Sequence, residues 1–112
     1  MCGIAGYFGN NKISKNLFYK ASKHLQSRGP DNTSFFFDYR KNFFAGLIHT
    51  RLSIIDLKKR SNQPFHFKEN IMIFNGEIYN YKELRKILIL KGYKFNTSGD
   101  SEVLIKSFDF WG

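Results

Sequence analysis

The second residue of the chain is a cysteine, and its position gives it two chemical options. Initiator methionine is commonly removed before a small residue, which would leave Cys2 with a free α-amino group. An α-amine has an ordinary pKa of about 7.7–8.0, so near neutral pH part of it can accept the thiol proton. Cys2 would then be both nucleophile and base, without need of a histidine. A cysteine at this position also arises by chance, and taken alone the residue favours that interpretation.

An Asn-Gly pair follows a short apolar run, at Asn75 and Gly76. Between two apolar runs, this dipeptide is a strong signal for a tight hairpin turn. The same two residues suit an oxyanion hole, because an amide side chain and a backbone N–H beside a residue without Cβ can both reach a tetrahedral intermediate. The spacing alone leaves both interpretations open.

Arg51 and Asp100 form a third candidate pair. An arginine in a loop after a strand is suited to bidentate binding of a carboxylate. Asp100 stands at a predicted helix start, where an aspartate is more often only an N-cap. Together the two side chains could bind the α-carboxylate and the α-ammonium group of a free amino acid.

Patterns for metal and nucleotide binding are absent from the sequence. The three histidines and Cys2 do not have the spacing of metal ligands. Gly3, Gly6 and Gly9 match neither of the glycine-rich phosphate-binding patterns. We therefore expect no metal site in these residues.

The composition bounds the class of protein. The chain has 112 residues, of which 42% are hydrophobic and 18% aromatic, with 9 Gly and 2 Pro. This excludes a disordered or collagen-like chain and predicts a single domain or part of one. No membrane-spanning run and no secretory leader are present, and the single cysteine fits a reducing compartment. We expect a cytoplasmic protein that does not bind membranes.

The net charge of +9 raises the question of nucleic-acid binding. The lysines are dispersed, and the densest group is only Lys58, Lys59 and Arg60. Aromatic and cationic residues alternate within residues 35–40, but a hydrophobic strand followed by a charged turn explains them equally well. We expect no nucleic-acid partner.

Apolar periodicity predicts a mixed α/β chain with adjacent antiparallel strands. Strands are predicted over residues 3–8, 34–39, 43–49, 71–74 and 93–95. The second and third form a hairpin around residues 40–42. Residues 50–70 show no clear period and are predicted to be mostly loop.

Three helices are predicted between these strands. The first follows Ser14 as its cap and has helical spacing at Leu17, Ala21 and Leu25. The second covers residues 81–91 after Asn80, with these residues facing inward: Leu84, Ile87 and Leu88. The third begins near Asp100 and carries Val103, Leu104 and Phe108.

Five motifs in a fixed order resemble one known family. They are Met1-Cys2-Gly3-Ile4-Ala5-Gly6, Arg28-Gly29-Pro30-Asp31, His49-Thr50-Arg51-Leu52-Ser53-Ile54-Ile55-Asp56-Leu57, Phe74-Asn75-Gly76-Glu77-Ile78-Tyr79-Asn80-Tyr81 and Gly99-Asp100-Ser101-Glu102-Val103. The chain resembles the N-terminal glutaminase domain of class II glutamine amidotransferases, which are N-terminal nucleophile hydrolases. Within them, the second and third motifs are similar to those of glutamine-hydrolysing asparagine synthetases. The resemblance extends from Met1 to about Val103.

The resemblance implies a role for each site residue. Cys2 would attack the side-chain amide of L-glutamine to give a thioester and ammonia, with Asn75 and Gly76 as the oxyanion hole. Arg51 and Asp100 would hold the α-carboxylate and α-ammonium of glutamine. The remaining substrate-binding residues would line the pocket: Leu52, Ser53, Ile54, Ile55 and Glu77.

The resemblance also implies the fold and the partners. The family has an α+β fold, an αββα sandwich, of which residues 1–112 would be the N-terminal portion, a partial class II glutamine amidotransferase domain. Its later strands and its synthetase domain, which uses ATP and Mg²⁺, would be missing, so we expect a truncated copy with phenylalanine-rich strand faces left exposed. No cofactor is expected in this segment. A homo-oligomer and an inactive interaction module stay open as alternatives.

Overall fold

A computed structural model describes all 112 residues, from Met1 to Gly112. The helices and strands follow one another in this order: β1 (Gly3–Gly9), α1 (Lys15–Leu25), β2 (Asn32–Arg40), β3 (Phe43–Arg51), a single 3₁₀ turn (Lys59–Ser61), β4 (Phe65–Phe67), β5 (Asn70–Met72), α2 (Tyr81–Leu90) and α3 (Asp100–Trp111). No helix is long and apolar enough to cross a membrane.

The larger sheet has three antiparallel strands in the order β1-β3-β2. Its central strand, β3, is buried from Phe44 to Arg51, because it has a strand on either side and is covered on both faces. The predicted hairpin is confirmed, with Arg40 paired to Phe43 across a two-residue turn. Side chains alternate between the faces of a strand, so β3 supplies both the core and the opposite face.

The hydrophobic core lies between α1 and one face of this sheet. Phe18 of α1 packs edge-on against Phe37 and Phe44, with ring centroids 5.1 and 5.8 Å apart. Gly46 makes room for it, since a Cβ there would lie 2.3 Å from the Phe18 ring. The predicted helical face is therefore partly wrong: Phe18 is buried and Leu17 is 56% exposed.

The other face of the larger sheet meets the small sheet formed by β4 and β5. Phe36 of β2 packs against His66 of β4 with ring centroids 5.6 Å apart. Beyond the small sheet, α3 packs against β4, and α2 packs against α3. The layers thus follow the order helix, sheet, sheet, helix, which confirms the predicted α+β class and its αββα sandwich.

One of the predicted strands does not form, and another is shorter than predicted. Residues 93–95 form no strand, because the backbone there faces α3, where Lys106 donates to the carbonyl oxygen of Lys94. The strand predicted over residues 71–74 ends at Met72. In the β4–β5 register Ile73 would stand opposite Pro64, but the two residues do not pair.

The predicted helices exist, but some of their details differ. Neither Ser14 nor Asn80 makes a side-chain capping hydrogen bond, although both occupy the N-cap position. On α2, Leu88 is fully buried, whereas Ile87 is 42% exposed. On α3, Val103 is buried and Phe108 is 58% exposed, since the face that packs inward continues through Ile105.

An apolar strip remains exposed on the larger sheet, on the face opposite α1. It consists of Ile4 and Phe8 on β1 and Phe43 on β3, and we call it the open strip. Phe8 and Phe43 contact each other, with ring centroids 6.4 Å apart. The strip adjoins the unpaired edge of β1. This agrees with the expectation that phenylalanine-rich strand faces stay exposed.

Gly29 lies directly against the end of β3. A Cβ on this residue would be 2.2 Å from the carbonyl oxygen of Thr50 and 2.6 Å from the backbone nitrogen of Arg51. Two residues later, the N–H of Asp31 donates to the Arg51 carbonyl at 2.9 Å. The absence of a side chain at Gly29 thus allows the chain after α1 to brace the end of β3.

We predict that Gly29→Ala destabilises the fold by roughly 1–3 kcal/mol or more, because the clash is with backbone atoms that cannot rotate away. The measurement is the urea midpoint. Ser27→Ala is the control, since Ser27 is an exposed residue in the same segment and its side chain makes no hydrogen bond within the chain. Equal midpoints for the two variants would contradict the prediction.

Candidate functional site

A cavity of about 90 Å³ opens where β1 and β3 meet the start of α3. Of the predicted site residues, all except Ser53 line it: Cys2, Arg51, Leu52, Ile54, Ile55, Asn75, Gly76, Glu77 and Asp100. The backbone of Ser53 instead donates to the Asp31 carboxylate at 2.7 Å, outside the lining. Residues far apart in the sequence thus converge on one concave site.

Cys2 is half-buried and stands immediately before β1. Its Sγ accepts a hydrogen bond from the backbone N–H of Leu52 at 3.3 Å. Arg28 Nε donates to the carbonyl oxygen of Cys2 at 3.3 Å, and the next N–H, of Gly3, donates to Thr50 Oγ1 at 3.1 Å. The main chain around the cysteine is therefore held in place while its sulfur borders the cavity.

Arg51 is a buried arginine that has no acidic partner. It is 7% exposed, and no carboxylate lies within 4.0 Å of its guanidinium group, which places it outside the four ion pairs of the chain. Nη1 donates to the Lys58 carbonyl at 2.9 Å and to Asn62 Oδ1 at 2.7 Å, and Nη2 donates to the Asp56 carbonyl. Of its five N–H donors, the one on Nε and one on Nη2 remain unpaired. A positive charge with two free donors thus borders the cavity.

Asp56 ties the loop after β3 to the start of α3. Its carboxylate accepts from the N–H and the hydroxyl of Ser98, both at 3.0 Å, from the N–H of Lys58 at 3.0 Å and from Arg60 Nε at 3.4 Å. The Ser98 N–H is the main cause that holds the pKa of Asp56 well below its usual range, followed by that of Lys58. Because this carboxylate is fully occupied, it does not neutralise Arg51.

Asn75 and Gly76 do not form the hairpin turn that their dipeptide suggested, since the chain continues into α2 and not into a strand. Gly76 is needed for space, because a Cβ there would lie 2.8 Å from the Phe74 ring. Neither the Asn75 side chain nor the Gly76 N–H has a hydrogen-bond partner within the chain. Unpaired donors at the cavity wall fit the second interpretation, an oxyanion hole.

Asp100 is the first residue of α3, and Gly99 occupies the N-cap position before it. The interpretation of Asp100 as the cap of its own helix is therefore wrong. Asp100 is 8% exposed, and its Oδ2 accepts from the backbone N–H of Ile78 at 3.1 Å. The carboxylate thus joins α3 to the segment after Gly76 and presents negative charge at the cavity.

The loop before Asp100 is held by a buried ion pair. Glu102 accepts from the N–H of Asn96 at 3.0 Å and from both the N–H and the hydroxyl of Thr97 at 2.7 Å. Lys106 lies 2.6 Å from the Glu102 carboxylate, one helical turn further on. These bonds occupy the carboxylate fully, so the start of α3 has a fixed position relative to the cavity.

His49 lines the cavity and was not predicted as a site residue. It is fully buried, and neither ring nitrogen has a hydrogen-bond partner. Desolvation is the main cause that lowers the pKa of His49 to about 4; the Phe74 carbonyl opposes this shift and the charge of Arg51 adds to it. The feature of the sequence that could have identified His49 is its position two residues before Arg51, which places both side chains on the same face of β3.

Other residues of the cavity lining were also not predicted as site residues: Gln63, Phe74, Thr97 and Ser101. Phe74 and Ser101 belong to the fourth and fifth motifs, whereas Gln63 and Thr97 belong to none. No three residues among His, Cys, Asp and Glu lie close enough together to bind a metal ion. The site can therefore offer a thiol, hydrogen-bond donors and charges of both signs.

The sequence is similar to proteins of one family over its whole length. The model of a family described as a glutamine amidotransferase domain matches residues 1–112. The chain is 38% identical to asparagine synthetase [glutamine-hydrolyzing] 1 of Bacillus subtilis over 96% of its length, and 34% identical to asparagine synthetase [glutamine-hydrolyzing] of Brassica oleracea over its whole length.

A further relative carries a different name. The chain is 37% identical over 93% of its length to glutamine–fructose-6-phosphate aminotransferase [isomerizing] of Methanococcus maripaludis. The chain spans only 17, 19 and 21% of the lengths of these three proteins. What it shares with them is thus one domain-sized segment.

We predict that His49 makes the stability of the fold depend on pH between about 6.5 and 4. In the unfolded chain the histidine is protonated below a pKa of about 6.5, whereas in the fold it stays neutral down to a pKa of about 4. As pH falls, the unfolded state binds the extra proton, so up to about 3 kcal/mol of stability is lost.

Urea unfolding at several pH values measures this effect. The variant His49→Leu should have a flatter profile in that window, and His24→Leu, at an exposed position on α1, should keep the wild-type slope. An unchanged slope in His49→Leu would contradict the assignment of a neutral buried histidine.

Proposed function

The chain belongs to the glutamine amidotransferase domain family, and from this premise we propose that its cavity hydrolyses the side-chain amide of L-glutamine with Cys2 as the nucleophile. The observation that carries the proposal is the unpaired charge of Arg51 in the same cavity as a cysteine. A buried cation without a counter-ion is costly unless a ligand supplies the anion. The α-carboxylate of glutamine would be that anion.

Asp100 supports the same choice of ligand. Its carboxylate has one oxygen bonded to the Ile78 N–H and the other free for the α-ammonium group. A ligand with adjacent carboxylate and ammonium groups matches Arg51 and Asp100 together. Along the side chain of the ligand, the predicted lining residues would contact the methylene groups at the cavity wall: Leu52, Ile54, Ile55 and Glu77.

The proposed reaction begins after removal of Met1. The freed α-amine of Cys2 takes the thiol proton, and the thiolate attacks the amide carbon of glutamine. The negative oxygen of the tetrahedral intermediate accepts from the Asn75 side chain and the Gly76 N–H. The amine returns its proton to the leaving nitrogen, so that ammonia departs and a γ-glutamyl thioester remains. Water then attacks the thioester and releases glutamate.

Ser53 has a supporting function in this proposal. Because its N–H is bonded to Asp31, it fixes the start of the loop that carries Ile54 and Ile55. Asp31 lies two residues after Gly29, and its own N–H donates to the Arg51 carbonyl. The second motif of the sequence would thus position Arg51 and the pocket wall without touching the substrate.

The fate of the ammonia is a further part of the proposal. Two of the relatives described above are named asparagine synthetases, so we propose a synthetase domain as the partner and asparagine as the product of the parent protein. ATP and Mg²⁺ would act in that domain, outside these 112 residues. The relative named an aminotransferase for fructose-6-phosphate makes another acceptor the alternative. The site of action would be the cytoplasm.

A second candidate function is assembly without catalysis. The observation that favours it is the open strip of Ile4, Phe8 and Phe43 beside the free edge of β1. Exposed apolar strand faces and edges are suited to pairing with another polypeptide, including a second copy.

We predict that the methionine-processed chain releases glutamate from L-glutamine and that Cys2→Ala reduces the release to background. Alanine is also small, so Met1 is still removed and only the nucleophile is lost. Circular dichroism and the urea midpoint control for folding. Release by Cys2→Ala would contradict the role of the thiol. No release from the wild type, together with concentration-dependent association, would favour assembly.

We predict that Asp100→Asn raises the KM for glutamine about tenfold or more. The amide can still accept from the Ile78 N–H, but it cannot attract the ammonium group, and a hydrogen bond to a charged group contributes about 1.5–3 kcal/mol. Asp38→Asn is the matched control, because Asp38 pairs with Arg40 on β2 and does not line the cavity. An unchanged KM in Asp100→Asn would contradict the ammonium site.

A further inference from the structure

Gln63 is a buried polar residue that the proposed reaction does not use. It is 6% exposed and borders the cavity, in the segment between the 3₁₀ turn and β4. A buried amide is unfavourable unless both of its ends are hydrogen-bonded. Its partners therefore show what the residue connects.

Both ends of the Gln63 amide are paired, and with different elements. Oε1 accepts from the backbone N–H of Phe74 at 2.5 Å, and Nε2 donates to Ser101 Oγ at 3.1 Å. A backbone N–H can only donate, so the atom facing Phe74 must be the oxygen, which fixes the orientation of the amide. One side chain thus joins the residue before Asn75 to the residue after Asp100.

The position of Gln63 follows from the small sheet. Phe65 pairs with Met72, so the same register continued would place Gln63 opposite Phe74. Backbone pairing ends at Phe65 and Met72. The side chain of Gln63 then accepts the N–H of Phe74 that a further backbone pair would have bound. The bond is a continuation of the strand pairing by a side chain.

We propose that Gln63 is a positioning residue that sets the distance between the oxyanion donors and the ammonium site. This inference rests on the proposed function. Phe74 precedes Asn75 and Gly76, and Ser101 follows Asp100, so the two groups of ligand contacts meet at one amide. The Asp100–Ile78 bond is a second link between the same elements. Arg51 is held by other bonds, to the carbonyl oxygens of Asp56 and Lys58 and to the side chain of Asn62, none of which uses the Gln63 amide.

The separate support of Arg51 determines which kinetic constant changes. Loss of the Gln63 link would free the Phe74–Gly76 segment, whose donors act on charge that develops in the transition state. Binding of glutamine would persist, because the bonds of Arg51 do not use the Gln63 side chain and Asp100 keeps both its place in the first turn of α3 and its bond to Ile78. Small displacements of catalytic groups can cost about 10²-fold in rate. The effect should therefore fall on kcat and leave KM nearly unchanged.

The test compares Gln63→Met with Gln26→Met in the methionine-processed full chain. Methionine keeps the length and volume of the side chain but makes neither hydrogen bond, and Gln26 is an exposed residue at the end of α1. We expect Gln63→Met to lower the kcat for glutamate release about tenfold or more, with KM within about threefold of wild type. Gln26→Met should match the wild type.

Hydrogen exchange of single amides provides a readout that is independent of turnover. The Phe74 amide should exchange slowly in the wild type and faster in Gln63→Met, while the Ile78 amide, bonded to Asp100, stays protected in both. An unchanged kcat, or a raised KM at constant kcat, would overturn the proposal. If the wild type releases no glutamate, the proposed function fails. In that case hydrogen exchange alone tests the bond between Gln63 and Phe74. Faster exchange of the Phe74 amide in Gln63→Met supports the bond, and equal exchange in the variant and the wild type contradicts it.

Discussion

The structure around the cavity depends on the need to accommodate the buried charge of Arg51. With no carboxylate in reach, three of its donors bind oxygen atoms of the chain between Asp56 and Asn62. This segment has no regular ladder of its own beyond one 3₁₀ turn. The guanidinium therefore organises the loop, and the loop in return leaves two donors of the guanidinium free. In the proposed function, ligand specificity and loop conformation would thus have the same physical cause.

The remaining walls of the cavity are joined by a small number of polar bonds. Asp56 binds the turn before α3, Asp100 binds the N–H of Ile78, and Gln63 lies between Phe74 and Ser101. Apart from the Gln63–Phe74 bond, which continues the β4–β5 pairing, each bond connects segments that no strand or helix pairing connects. Because the side chains of Asp56, Gln63 and Asp100 are buried, each unmade bond would be costly. The site is thus held by its polar contacts, whereas the hydrophobic core lies on the far side of the larger sheet.

Much of this arrangement was predictable from the sequence, and the exceptions have physical reasons. The strands β2 and β3 could be predicted from their long apolar runs. The chemistry of cysteine, arginine and aspartate pointed to Cys2, Arg51 and Asp100, whereas the predicted lining at Ile54, Ile55 and Glu77 came only from the resemblance. Phe18 is buried in the core, and not the predicted Leu17, because Gly46, distant in sequence, makes room for the Phe18 ring. Gln63 and His49 were missed because only their partners across the fold reveal them: Phe74 and Ser101 for the amide, and the cavity for the imidazole.

The proposed function requires that the unpaired charge of Arg51 selects a ligand with an α-carboxylate. Calorimetric titration of the Cys2→Ala chain tests it directly, because binding is then measured without turnover. The two ligands are L-glutamine and γ-aminobutyramide, which is the same molecule without the α-carboxylate. We predict that γ-aminobutyramide binds at least about tenfold more weakly than L-glutamine, because one charge-assisted pair is lost. Equal affinity for the two ligands would contradict it.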